Sequence, residues 1–325
     1  MNTTAKSSWS MAPAVVLVGL AAACGGGPGV SPDDKPPQVV ATTTIVADLV
    51  RRVGEPDVKV VSLMGAGVDP HLYEASAGDV RKMAAAAAIF YSGHHLEGKM
   101  TDLFARMAGR GRKTVAVAEC LPAERLLPAG EDTPLKDPHV WFDVGLWAGT
   151  LPCVAEALAE IVPRRAEEFR RRAAAYAQEL AVLDAEVRAT LAAIPAERRV
   201  LVTAHDAFAY FGRAYQVEVY GLMGINTAAE AGTEDVQRLA DVIAARRVPA
   251  VFVESSVSPR AIQALVEAVQ ARGHRVAIGG SLYSDALGSP GTPAESYVGT
   301  VRENVNIIVT ALASTASEAS APARE

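Results

Sequence analysis

Residues 163–195 read PRRAEEFRRRAAAYAQELAVLDAEVRATLAAIP, and the fold is decided here. Phe169, Tyr176, Leu180, Leu183, Val187 and Leu191 recur at mixed three- and four-residue steps, with arginines and glutamates between them. That spacing predicts one amphipathic helix from Pro163 to about Ile194, bounded by proline at each end. At ~1.5 Å per residue it spans roughly 45 Å, more than a single small domain needs. Such a rod either connects two domains or lies along the surface of one.

On both sides of it, short β-rich runs alternate with alanine-rich helical ones. Before it, strands are expected at 39–44, 58–63, 88–91 and 114–117, and helices at 45–53, 77–87, 96–108 and 146–161. After it, strands are expected at 200–203, 217–220, 250–253 and 276–278, and helices at 207–215, 233–246, 259–272 and 297–313. This βα alternation predicts an α/β fold with parallel sheets and helices on both faces. The domain reading is an N-terminal lobe at 38–161, a linking helix at 162–195 and a C-terminal lobe at 196–313.

A chain of 325 residues, half of them apolar, suits two such domains. A net charge of −6 and no basic cluster exclude nucleic acid as a partner. Residues 1–23 read as an export signal, with Lys6 before an apolar stretch at 12–23 that is too short to span a bilayer. Its end, Ala21-Ala22-Ala23-Cys24, resembles a bacterial lipoprotein signal, which makes Cys24 the expected lipidation site. Residues 24–37 are a Gly/Pro/Asp tether and 314–325 a disordered Ala/Ser/Glu tail. No segment after the leader is expected to cross a membrane. Cys120 and Cys153 are either a disulfide or two separately buried thiols.

The tripeptide Asp-Pro-His occurs twice, at Asp69-Pro70-His71 and Asp137-Pro138-His139, each expected after an apolar, strand-like run. Proline stiffens both loops. His205 closes the run Val200-Leu201-Val202-Thr203-Ala204, and Asp285 lies in a Gly/Ser-rich loop after residues 275–278. The chain has six histidines, and three of them at expected strand ends with a loop aspartate form a nitrogen-rich, four-ligand set. Such a set suits a transition metal, zinc first. The ligands are separated by 68, 66 and 80 residues, with no HExxH or CxxC motif. That fits a site between lobes, built from loops at the carboxyl ends of strands. Asp69 and Asp137 are expected either to bond their own backbone in turns or to fix the adjacent imidazole. Glu254, at a strand end, is an outer carboxylate or the acid of a helix N-terminus. His94 and His95 are expected to cap the next helix or lie near the rim, and His274 to be solvated.

With these residues in hand, the chain resembles the metal-binding solute receptors of ABC importers, substrate-binding lipoproteins for zinc and manganese. The resemblance runs from about Val39 to Ala313. It is carried by Asp69-Pro70-His71-Leu72-Tyr73-Glu74, by Tyr91-Ser92-Gly93 with Leu96-Glu97-Gly98-Lys99-Met100, and by Asp137-Pro138-His139-Val140-Trp141-Phe142-Asp143. It continues in Ala204-His205-Asp206-Ala207-Phe208, Gly224-Ile225-Asn226-Thr227 and Ser281-Leu282-Tyr283-Ser284-Asp285.

The resemblance implies two (β/α)4-type lobes joined by one long, rigid helix, with His71, His139, His205 and Asp285 as ligands. It also implies a monomer, exported and either lipid-anchored or periplasmic, that hands its ion to a permease driven by a separate ATPase. Manganese-associated members commonly carry glutamate at the third ligand position. His205 makes the set softer, which with the Irving–Williams order points to Zn2+, with Mn2+ as the alternative. Many zinc-importing relatives carry a histidine-rich loop before the second ligand, whereas residues 121–136 here contain no histidine. A closed shell leaves no place for an activated water, so no enzymatic activity is expected. The competing readings are a zinc hydrolase with Glu254 or Asp206 as base, and a metal-binding adhesin or chaperone. Movement of the Asp285 loop is the expected route of release.

Overall fold

In the computed structural model the described residues are 1–3, 35–130 and 133–313. Most of the expected leader, Cys24, the tether up to residue 34 and the tail lie outside them. From Pro36 onward the fold begins with a parallel sheet. Its strands β1 (Gln38–Ala41), β2 (Lys59–Ser62), β3 (Ala88–Tyr91) and β4 (Lys113–Ala116) lie in the order β2-β1-β3-β4. Helix α1 (Thr44–Gly54) covers one face and α2 (Ala77–Ala85) and α3 (Thr101–Gly109) the other.

Local chemistry sets the boundaries. The first strand stops at Ala41 rather than residue 44, because the Thr43 hydroxyl accepts the Val46 N–H at 3.2 Å and starts α1. The helix expected from residue 96 begins at Thr101. Ahead of it, Gly93, His94 and His95 all have left-handed backbone. Glu97, buried among them, accepts the Thr42 hydroxyl at 2.6 Å and the Ser92 N–H at 2.8 Å. The stretch expected as one helix over 146–161 divides into α4 (Val144–Ala148) and α5 (Leu151–Ile161) around Gly149 and Thr150. Contrary to the sequence expectation, Val144–Ile161 has the length and apolar composition of a membrane span. Here it is a core element, since Leu146, Trp147, Leu151, Val154 and Leu158 are all buried.

The long helix forms as α6 (Ala166–Ala192), entered through a 3-10 turn at Pro163–Arg165. Its 27 residues span about 40 Å. The expected stripe, Phe169 to Leu191, is buried against α1, α4, α5 and α10 (Tyr297–Ala313).

Beyond α6 come two parallel ladders: β5 (Val200–His205) with β6 (Glu218–Met223), and β7 (Ala250–Glu254) with β8 (Ala277–Leu282). β5 runs beside β7 without ladder hydrogen bonds joining the two pairs. Helices α8 (Thr233–Arg246) and α9 (Arg260–Gln270) cover one side, and α7 (Ala209–Tyr215) and α10 the other. One apolar core runs from Val39 through the α6 stripe to Leu312, uniting the two halves. Cys120 and Cys153 are joined by a disulfide between the end of a 3-10 turn and α5. His274 is half-buried and bonded to the Val248 carbonyl at 2.9 Å, so the turn that carries it is not simply solvated.

Candidate metal site

Four elements converge on one buried point. His71 lies in the loop after β2, His205 ends β5, and Asp285 follows β8. His139 does not follow a strand directly. The chain wanders from the end of β4 through an irregular segment, and His139 sits just before a 3-10 turn at Val140–Phe142. A glycine is required beside His205: a Cβ on Gly221 of β6 would lie 2.5 Å from the Asp206 nitrogen. Only a bare backbone lets the neighbouring strand approach so closely.

All four side chains are at most 3% exposed, and each offers a ligand atom within 4.8 Å of the others. His71 Nε2 is 3.3 Å from His139 Nε2, and His205 Nε2 is 3.4 Å from Asp285 Oδ2. Asp285 Oδ2 is 3.8 Å from His71 Nε2, and Asp285 Oδ1 is 3.6 Å from His139 Nε2. Two nitrogens held ~2.0–2.1 Å from one tetrahedral ion lie about 3.3 Å apart, so the shortest spacings already match a zinc shell. His205 Nε2 and both Asp285 oxygens are buried with no hydrogen-bond partner among the described residues. Leaving three such atoms unsatisfied is expensive, and a cation at their focus satisfies all of them.

The surrounding carboxylates sort the sequence alternatives. Asp137 Oδ1 accepts both the His139 backbone N–H at 2.9 Å and the ring Nδ1 at 2.8 Å, so the turn and imidazole readings both hold. Glu254 accepts the His205 backbone N–H at 2.9 Å and Nδ1 at 2.6 Å; it is not a helix-capping acid. In both cases a carboxylate takes the Nδ1 proton as its hydrogen-bond donor, which leaves Nε2 facing inward as the nitrogen for a metal. Asp69 behaves differently. It accepts the His71 backbone N–H at 2.8 Å, as a turn residue does, and makes no bond to the ring. His94 bonds the Ala118 carbonyl at 3.3 Å, and with His95 it stands outside the four-ligand group.

Burial lowers the His71 pKa to about 3, with the neighbouring imidazoles adding to the effect and Asp285 opposing it. Burial also works to lower that of His205, but the charges of Asp285 and then Glu254 outweigh it and raise it well above the ordinary value. Asp285 is held well below the usual carboxylate range: burial pushes it up, and the three imidazoles, His205 foremost, more than reverse that.

The Asp285 loop is tied to both halves of the fold. The Trp141 indole N–H donates to the Ser284 carbonyl at 3.1 Å, and the Leu287 N–H donates to the Thr44 hydroxyl at 2.8 Å. Asn304 brackets Tyr283, accepting its N–H at 2.9 Å and donating to its carbonyl at 2.8 Å. Sequence reasoning missed Trp141, although its place two residues after His139 in the Asp-Pro-His-Val-Trp run was a signal.

The family model of ZnuA, zinc-uptake complex component A periplasmic, matches residues 39–311. The chain is 50% identical over 280 residues to the zinc-binding protein TroA of Treponema pallidum, covering 86% of this chain and 90% of that one. It is 47% identical over 279 residues to the manganese-binding lipoprotein MntA of Bacillus subtilis, with the same shares of 86% and 90%. A solved structure of the periplasmic zinc-binding protein TroA from Treponema pallidum matches with a TM-score of 0.82 at 50% identity, covering 85% of this chain and 99% of that one.

Proposed function

The chain belongs to the zinc-uptake complex component A family of periplasmic proteins, and from that premise we propose that it is the extracytoplasmic receptor of an ABC importer, with Zn2+ as its cargo. His71, His139, His205 and Asp285 are its ligands, while Asp137 and Glu254 orient two of the imidazoles. The observation that carries this reading is the buried focus itself: four ligand atoms lie within 4.8 Å of one another, and His205 Nε2 and both Asp285 oxygens there lack a hydrogen-bond partner among the described residues.

Zinc rather than manganese follows from the donor set. Three imidazoles and one carboxylate are softer than manganese prefers, and zinc stands above manganese in intrinsic affinity for such sites. The family and the lipoprotein relative support an exported protein, Cys24-anchored to the membrane or free in the periplasm, working as a monomer with a permease and an ATPase. The fold supports two lobes, 38–161 and 196–313, braced by the helix region 162–195. Against a hydrolase, Glu254, one of the two bases considered for it beside Asp206, has both oxygens engaged by His205.

Elemental analysis of protein purified without added metal, followed by competitive titration with Zn2+ and Mn2+, tests this. One Zn2+ per chain, not displaced by equimolar Mn2+, is the expected result. A chain that holds no stoichiometric metal, or that prefers Mn2+, overturns the assignment.

A further inference from the structure

The run Gly224-Ile225-Asn226-Thr227 follows β6 and supplies none of the four ligands. Asn226 Oδ1 accepts the Ala228 N–H at 2.8 Å, a side-chain turn that sets the loop around Thr227. Thr227 is buried, and its hydroxyl donates to Asp69 Oδ2 at 2.6 Å, across 158 residues of chain. The other oxygen of Asp69 accepts the His71 backbone N–H at 2.8 Å. One carboxylate thus ties the His71 loop, in the N-terminal half, to the loop after β6 in the C-terminal half.

The three imidazoles are not held alike. His139 and His205 each give Nδ1 to a carboxylate, whereas His71 Nδ1 is buried and has no partner among the described residues. No carboxylate holds the His71 ring at Nδ1, so its placement depends more on its backbone than that of the other two imidazoles. Asp69 holds that backbone, and Thr227 holds Asp69. Resting on the metal-receptor reading, we propose that Thr227 is a positioning residue for metal retention. Its hydroxyl, through Asp69, fixes His71 against the opposite half of the fold and slows escape of the bound ion. A short hydroxyl-to-carboxylate bond belongs to the stronger class of hydrogen bonds, so its loss should be measurable.

The test compares full-length parent, Thr227→Val and Thr227→Ser proteins. Each is loaded with Zn2+ and mixed with excess chelator to read the release rate; association is followed separately. Valine removes the hydroxyl at almost unchanged volume, and serine keeps it. Thr227→Val is expected to release Zn2+ about tenfold faster with association nearly unchanged, since single contacts act mainly on dissociation. Thr227→Ser is expected to stay close to the parent. Asp69→Asn supplies an independent variant should valine disturb folding: it accelerates release as well, and adding Thr227→Val to it brings no further increase. Parent-like release from Thr227→Val, equally fast release from Thr227→Ser, or additive effects in the double variant would overturn the proposal. A parent protein that binds no Zn2+ overturns the metal-receptor reading itself and is recognised before any variant is compared.

Discussion

Glu254 holds His205 twice, once at the backbone N–H (2.9 Å) and once at the ring Nδ1 (2.6 Å). The same carboxylate therefore fixes both the end of β5 and the tautomer of the imidazole. Replacing it by glutamine leaves an amide that cannot serve both donors with the same charge. Glu254→Gln is expected to weaken Zn2+ binding by about 10- to 100-fold, the usual cost of losing a ligand's orienting partner. Competition with a chelator of known affinity measures this, and unchanged binding would mean that the ring is held by packing alone.

Asp285 supplies the charge of the cluster, and both its oxygens face imidazoles. Asp285→Ala should reduce Zn2+ affinity by more than about 100-fold, beyond the range for orienting partners. A variant that retains parent affinity in the same competition assay would remove Asp285 from the ligand set.

Acid should compete with the metal. Against the lowering effect of burial, the charges of Asp285 and then Glu254 raise the His205 pKa in the metal-free protein, so its Nε2 takes up a proton more readily than a free imidazole and then pairs with Asp285. This ion pair stabilises the metal-free fold fully below the ordinary histidine value near ~6.5, and the contribution fades as pH rises through the raised value. An incoming cation must displace the proton, so affinity rises with pH across that window and falls on acidification. Calorimetric titration at pH 7 in buffers of different ionisation enthalpy should show release of about one proton per Zn2+ bound. Binding enthalpies independent of the buffer would contradict it.

Trp141 joins two of the candidate ligands, His139 and Asp285, physically. Its ring lies edge-on to His139, with centroids 5.3 Å apart, and its indole N–H reaches the carbonyl just before Asp285. Trp141→Phe keeps an aromatic ring, smaller than the indole, and loses the N–H, and is expected to weaken Zn2+ binding about 5- to 10-fold. It should also speed hydrogen exchange in residues 283–287 of the metal-free protein. Unaltered exchange there would show that Asn304 and Thr44 secure the loop without help.

The Cys120–Cys153 bond closes a 33-residue separation. Cys120→Ser with Cys153→Ser is expected to lower unfolding stability by about 3–4 kcal/mol. Denaturant melts of the two proteins, both metal-free, decide this.

What was legible in the sequence follows from how local the causes are. The α6 stripe and the alternation of strand and helix are written in side-chain period, so the long helix and both sets of parallel strands were readable, with ends displaced by caps. Thr43 shifted a boundary through a hydrogen bond, and Pro152, which has no N–H to continue the ladder, begins a new helix after Gly149 and Thr150; periodicity encodes neither. That His71, His139, His205 and Asp285 gather at one point was readable because imidazoles near strand ends are unusual. The roles of Asp69 and Glu254 were not, because each depends on which distant group arrives opposite. Asp69 and Asp137 occupy the same place in identical tripeptides, yet only Asp137 meets its histidine's ring. The Thr227 contact and the disulfide were unreadable for the same reason: both pair residues whose proximity exists only after the chain has folded.

The wide spacing of the four ligands governs when the protein can acquire its ion. No short peptide from this chain contains more than one of them, so a nascent or unfolded polypeptide does not bring the four together. Metal selection is thereby deferred until folding is complete. For a protein that crosses a membrane before it works, the ion that enters is drawn from the compartment of arrival and not from the cytoplasm where synthesis began.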